Sequence, residues 1–204
     1  MRSDAIAYVV AGIAFGTILG WVIGTQQVRR AAAPAPETTV ASNQQAGPTT
    51  RQPPALDQAR VQDLQKTLAS NPKDVKSVIE LGNTYFDAER WDDAITWYRR
   101  AIELDPNDAD ASTDLGVSLY YSNRADEALA QFEHSLKISP QHTKTLLNKG
   151  IVLAFGKEDL KGAAAQWQKV VDLAPGTPEG EAARRALEGV AAAVHNNQAT
   201  PNQQ

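Results

Sequence analysis

The chain has 204 residues, 42% of them hydrophobic, with no cysteine and a formal net charge of −4. An acidic balance excludes an ordinary nucleic-acid binder, whose footprint is a basic face. The absence of cysteine excludes a disulfide scaffold, a thiolate metal site and a catalytic thiol. Beyond residue 55, acidic groups outnumber basic ones by 22 to 16.

After a four-residue amino-terminal tail (1–4), residues 5–24 read AIAYVVAGIAFGTILGWVIG, twenty positions without a charge. As a helix this stretch reaches roughly 30 Å, the thickness of the hydrocarbon layer of a bilayer. A secretory signal has a shorter apolar region, about 7–15 residues, and a buried core helix would show a polar stripe. The expectation is therefore a retained single-pass transmembrane helix in the cell (inner) membrane. Gly12, Gly16, Gly20 and Gly24 fall every fourth residue and form a flat strip that another helix can approach closely. Two readings of the strip stay open: self-association or docking on a membrane protein, and the general abundance of glycine in such helices. Arg29 and Arg30 flank the exit and Arg2 the entry. A difference of one arginine leaves open which side of the membrane carries the carboxyl-terminal domain.

Residues 25–55 are rich in Pro, Ala, Thr and Gln and hold few large apolar side chains, so they form a flexible linker rather than a core. The tail at 196–204 has the same unstructured character. Between them, 56–195 is one helical domain. Its first segment, 56–69, places Val61, Leu64 and Leu68 on one stripe and ends before Pro72.

A period of 34 residues then governs the chain. Gly82, Gly116 and Gly150 recur at that spacing, as do Pro72, Pro106 and Pro140, with Ala94 and Ala128, and Tyr98 and Phe132. The third copy carries one extra residue, moving its counterparts to Ala163, Trp167 and Pro175. The polar stretch GKEDLKG is where a loop is expected to absorb it. Each unit reads as two amphipathic helices: 75–88 with 91–104, 109–122 with 125–138, and 143–156 with 160–173. Val78, Leu81 and Tyr85 share one face, and Ala94, Tyr98 and Ala101 share another. The small residues Gly82 and Ala94 mark a close approach of helix axes. Gly156 is expected in the left-handed conformation that ends a helix, and each proline stops the helix before it. Residues 178–195 place Ala183, Leu187, Ala191 and Val194 on a closing stripe.

At these residues the sequence resembles the tetratricopeptide repeat family, whose 34-residue pattern joins a Leu-Gly step to an aromatic, Ala, an aromatic, Ala and Pro at fixed offsets. The first unit matches at Leu81, Gly82, Tyr85, Ala94, Tyr98, Ala101 and Pro106. The second matches at Leu115, Gly116, Ala128, Phe132 and Pro140, and departs at Ser112, Leu119 and Ser135. The third has Lys149 where leucine is usual. The resemblance implies an all-α solenoid of three helix pairs (75–108, 109–142 and 143–177) between capping helices 56–69 and 178–195, preceded by one transmembrane helix. Stacking is required, because a single pair cannot bury its apolar face.

The resemblance also implies a concave groove lined by the first helix of each pair. Its positions are Lys76, Ile79, Asn83, Phe86 and Asp87 in the first unit. The second supplies Asp110, Thr113, Val117, Tyr120 and Tyr121, and the third Lys144, Leu147, Ile151, Ala154 and Phe155. Family members that clamp a terminal carboxylate use lysine and asparagine at set positions, and Ile79 and Val117 replace two of those here. An apolar-aromatic groove suits a helix or extended segment with hydrophobic anchors. Packing of Phe86, Tyr120 and Phe155 against the next unit is the plainer alternative, with Tyr121 the more accessible ring.

Catalysis finds no footing. His134, His142 and His195 are separate, and Asp105, Asp108, Asp110 and Asp114 surround a helix start, where the helix dipole favours negative charge. No enzyme activity, metal or cofactor is expected, and no nucleic-acid partner. The expected work is protein–protein binding beside the membrane. The plan of anchor, linker and repeats also looks like the accessory factors of bacterial c-type cytochrome maturation, which hold apocytochrome. Self-assembly into a membrane complex through the glycine strip is the third reading.

Overall fold

The computed structural model describes residues 53–199, with side chains through Ala193. The expected membrane span with its glycine strip, the linker before Pro53 and residues 200–204 lie outside the described residues. Among the described residues no helix is long and apolar enough to cross a membrane.

These residues form eight helices and no strand. They are α1 (Gln58–Ser70), α2 (Val75–Asp87), α3 (Trp91–Leu104), α4 (Ala109–Tyr121), α5 (Ala125–Ile138), α6 (Thr143–Ile151), α7 (Leu160–Leu173) and α8 (Pro178–Ala199). A π-helical turn, Val152–Gly156, extends α6. Successive helices pack against each other along the whole array, and α4 also touches α6, which touches α8. That is a solenoid, in which each hairpin meets only its neighbours.

The joints between hairpins follow from their prolines. A proline disfavours helical backbone in the residue before it. Accordingly φ is −136° at Asn71, −133° at Asp105 and Ser139, and −145° at Ala174. Each of these residues still closes the last helical turn through its N–H, onto Thr67, Ala101, Ser135 and Val170 respectively. The residue two beyond the proline is the cap of the next helix, which starts one residue later. Asp74 caps α2 and Asp108 caps α4, each accepting from a backbone N–H three residues on, at 3.2 and 2.8 Å. His142 stands in the same place before α6 and makes no such bond.

Within each hairpin the recurring glycine lies under an aromatic ring. A Cβ on Gly82 would sit 2.6 Å from Cε1 of Tyr98, and Gly116 and Gly150 are covered in the same way by Phe132 and Trp167. The ring lies directly on the glycine rather than beside the contact. Tyr98, Phe132 and Trp167 are at most 2% exposed, and Ala94, Ala128 and Ala163 are fully buried.

The turns inside the first two hairpins are Schellman closures. Arg90 N–H bonds to the Tyr85 carbonyl and Glu89 N–H to that of Phe86, and Arg124 and Asn123 repeat this on Leu119 and Tyr120. Glu89 and Asn123 take the left-handed conformation, with φ of 57° and 60°. In the third hairpin the left-handed residue is Glu158, not Gly156, since no described glycine has positive φ. Gly156 is small for another reason: a Cβ there would lie 3.1 Å from both Ala125 Cβ and Tyr120 Cε2.

The extra residue of the third unit lies inside the helix, not in the polar loop. From glycine to left-handed residue the first two hairpins run 82 to 89 and 116 to 123, whereas the third runs 150 to 158. The π turn, with one more residue per turn than an α-helix, takes up the difference.

The cap α1 buries Val61 and Leu68. On α8 the buried stripe is Ala182, Ala183 and Ala186. Ala191 is exposed, because the face that meets α7 lies one residue away from the expected one. The helix also runs on to Ala199, past the expected end at 195.

Candidate functional site

The first helices of the three pairs, α2, α4 and α6, carry the expected groove positions. Lys76, Asp87 and Asp110 are exposed, while Ile79, Asn83, Phe86, Val117, Tyr120, Tyr121, Lys144, Ile151 and Phe155 are half-buried. Thr113, Leu147 and Ala154 are buried, and the structure removes them from the accessible surface.

Thr113 is the clearest correction. Its hydroxyl lies 2.6 Å from that of Thr145 and 3.1 Å from that of Ser135, and it donates to the Ala109 carbonyl at 2.7 Å. Ser135 lies 2.9 Å from Thr145 and donates to the same carbonyl. Three buried hydroxyls thus form a seam between the second and third hairpins. His142 Nδ1, 2.6 Å from the Thr145 hydroxyl, closes its outer end. A buried hydroxyl is costly unless bonded; Thr113 and Ser135 give their protons to the Ala109 carbonyl, and Thr145 lies within bonding distance of both. Ser112, also fully buried, receives a bond from Gln131 Nε2 at 2.7 Å. The departures from the family pattern at Ser112 and Ser135 therefore belong to polar packing. Leu147 is 5% exposed, and its carbonyl accepts from Trp167 Nε1 at 3.1 Å. Ala154 is buried because the π turn shifts it into the register that Leu119 holds in α4.

The aromatics gather at the far end of the hairpins. Trp91 stacks on Tyr121 with centroids 4.6 Å apart, and Phe86 meets both rings edge-on at 4.8 and 5.7 Å. This junction fastens the first hairpin to the second: Phe86 packs on the next unit, and it does so on Tyr121, the ring expected to be the more accessible. Tyr121 is half-buried in it, and burial pushes its hydroxyl well above the ordinary value. Sequence reasoning did not single out Trp91. Its signal was a large aromatic opening α3 directly after the turn.

The charged residues divide by partner. Asp108 caps α4 and Asp105 accepts from Asn107 N–H. Asp114 pairs with Lys144 at 2.8 Å, and Asp110 lies 3.5 Å from both Lys144 and His142 Nε2. Burial pushes the Asp114 carboxyl up, against the pull of Lys144. Burial would lower the Lys144 ammonium, but Asp114 and Asp110 outweigh it and hold it above its ordinary value. Asp114, one turn beyond Asp110, thus joins α4 to α6 instead of marking a helix start. His134 is exposed, with Nδ1 at 3.3 Å from the Ser112 hydroxyl.

Where α2 meets α1, a cleft of about 460 Å³ takes in Pro54, Asp57, Arg60, Glu80, Asn83 and Asp87. Arg60 pairs with Glu80 at 2.5 Å. The Tyr98 hydroxyl crosses from α3 to donate to Asn83 Oδ1 at 2.7 Å, which fixes that amide. Burial, then Asp114 and Asp87, push the Tyr98 hydroxyl far up, so it remains a donor. No group of three side chains among the described residues is placed to hold a metal ion. What the face offers is a row of half-buried side chains at one position of successive helices: Asn83, Val117 and Ile151.

Two family models match this stretch, TPR repeat over residues 82–122 and Tetratricopeptide repeat over residues 113–178. Solved structures share the fold. The first TPR of Spaghetti (RPAP3) bound to the HSP90 peptide SRMEEVD is 21% identical, over 59% of this chain and 93% of that one, with a TM-score of 0.53. The Arabidopsis OM64 TPR domain is 20% identical over 57% and 93%, with a TM-score of 0.52. The Yersinia enterocolitica type III secretion translocator chaperone SycD is 15% identical over 62% and 95%, with a TM-score of 0.55. No curated protein matches the sequence. Both family models point to tetratricopeptide repeats within residues 82–178, and these neighbours share the fold.

Proposed function

We propose that the protein is a membrane-anchored tetratricopeptide-repeat scaffold that holds a segment of a partner protein in the groove of α2, α4 and α6. The observation that carries this reading is the row Asn83, Val117 and Ile151. These equivalent positions stay half-open while their helix neighbours Val78, Leu81, Leu115 and Leu146 are buried. A surface kept open on three successive units, and apolar on two of them, suits hydrophobic anchors of a bound segment. The RPAP3 neighbour, bound to an acidic peptide, illustrates such use of the fold. Here Ile79 and Val117 offer no cation for a terminal carboxylate, so the segment held is of another kind.

The apolar stretch at 5–24 supports the anchor, which would keep this capture beside the bilayer. A photoreactive residue at Val117 or Ile151 in the full chain in cells tests the groove. One shared crosslinked product from both sites, absent from the exposed α5 position Ala130, is expected. Equal products from all three sites would refute groove binding. Carbonate extraction tests the anchor: the full chain stays with membranes, and a chain lacking residues 1–24 is released.

A further inference from the structure

The cleft between α1 and α2 brings together Asp57, Glu80 and Asp87 against a single guanidinium, that of Arg60. Asp57 is committed as the cap of α1, accepting from Arg60 N–H at 2.9 Å, and Glu80 holds the Arg60 side chain. Asp87 has no hydrogen-bond or ion-pair partner among the described residues. Exposed on its outer side, Asp87 borders the cleft on the other, and the desolvation there pushes its carboxyl above the ordinary value. One turn back on the same helix, Asn83 has its amide oxygen engaged by Tyr98 and its N–H groups without a partner among the described residues. The pair therefore presents an anionic acceptor beside neutral donors, at the edge of a space of about 460 Å³. Farther along the face, Asp110 and Asp114 are already matched by Lys144.

We propose that this end of the groove selects a basic segment: a lysine or arginine of the partner enters the cleft and donates to Asp87, while Asn83 donates to a carbonyl of the same segment. The inference rests on the groove reading above and adds the charge of what is held. Two unneutralised carboxylates in one cleft favour a cationic guest and repel an acidic one. A charge-assisted bond in a partly desolvated site is worth about tenfold in affinity.

The full chain in detergent micelles, incubated with a library of twelve-residue peptides, tests this. Apolar residues are fixed at every fourth position, and Lys, Arg, Gln, Ser and Glu are randomised between them. The wild-type chain is expected to enrich Lys or Arg over Gln about tenfold at one position. Asp87→Asn should lose that enrichment and Asp87→Lys should replace it with Glu, both with unchanged helical circular dichroism. Peptides retained without basic enrichment, or enrichment that survives in Asp87→Asn, would overturn the charge inference and leave the groove reading standing. Retention of no peptide by the wild type would overturn both. Enrichment that appears only in Arg51→Gln would assign the cleft to the chain's own arginine, three residues before Pro54, and would overturn the proposal as well.

Discussion

A paired glycine substitution gives the fold its sharpest test, because one chemical change is expected to act with opposite signs at two sites. Gly82 and Gly189 both lie in helix interiors, where alanine is worth up to about 1 kcal/mol over glycine. At Gly189 a Cβ meets nothing within 4 Å, so Gly189→Ala should gain most of that. At Gly82 the new Cβ falls 2.6, 2.8 and 3.0 Å from three carbons of the Tyr98 ring. Ordinary contact begins near 3.5 Å, so the ring must retreat by almost 1 Å. It is 2% exposed, and its hydroxyl is held by Asn83 at 2.7 Å. Overpacking of this kind costs about 1–3 kcal/mol, and loss of the hydrogen bond about 1 more. After subtracting the helical gain, Gly82→Ala should destabilise by about 1–3 kcal/mol. For a domain of this size that is a fall of roughly 3–10 °C in Tm, against a rise of about 2–3 °C for Gly189→Ala. Thermal melts followed by circular dichroism decide it. If Gly82→Ala raised Tm as Gly189→Ala does, the ring-on-glycine packing of all three hairpins would be wrong.

Thr145→Val alone should cost about 0.5–1.5 kcal/mol, the net worth of the lost Thr145 bonds, because Thr113 and Ser135 keep their bonds to the Ala109 carbonyl. The triple change Thr113→Val, Ser135→Ala and Thr145→Val should cost much less than the sum of its singles, as urea midpoints would show. Glu158→Gly should stabilise by about 0.5–1 kcal/mol, because an exposed glutamate at φ 57° carries a strain that glycine lacks. Asp87→Asn should make the domain slightly more stable at pH 7. The folded state holds the Asp87 proton more tightly than the unfolded chain does, so its contribution is full below the unfolded value and lost as pH rises through the folded one. The urea-midpoint difference between variant and wild type should therefore shrink toward zero as pH falls below about 4.

Most of the fold was legible because its signals are local and repeated. Glycine under a ring, alanine facing it and a proline after the cap each act within one hairpin, and a period of 34 makes each visible more than once. The site was less legible, because exposure on the groove face depends on what the neighbouring hairpin supplies. Thr113 shares its repeat position with Ile79 and Leu147, yet it is buried because Ser135 and Thr145 offer hydroxyls to meet it. No reading of α4 alone contains that fact. Trp91 turns Phe86 and Tyr121 from apparent anchors into a fastening between units. Alanine at those two rings would consequently loosen the stacking of α2 on α4 as well as any capture.

The misplaced insertion shows why a polar loop is not always the softer element. Between α6 and α7 the chain has little freedom. Glu158 must take the left-handed turn, and Asp159 must cap α7 by accepting from Gly162 N–H at 2.8 Å. From that left-handed residue to the buried alanine the count is the same in every hairpin, 89 to 94, 123 to 128 and 158 to 163. The surplus residue has no room there and goes upstream, where the π turn from Val152 to Gly156 admits it and the Leu153 carbonyl accepts from Asp159 N–H at 2.8 Å. Deleting Leu153 should therefore restore the shorter spacing of the other hairpins and keep a cooperative melt. Deleting Glu158, a solvent-exposed loop residue, removes the left-handed turn and shifts the cap, with an expected loss of about 2 kcal/mol or more from the two features together. A chain that tolerated the loop deletion better than the helix deletion would put the slack back in the loop.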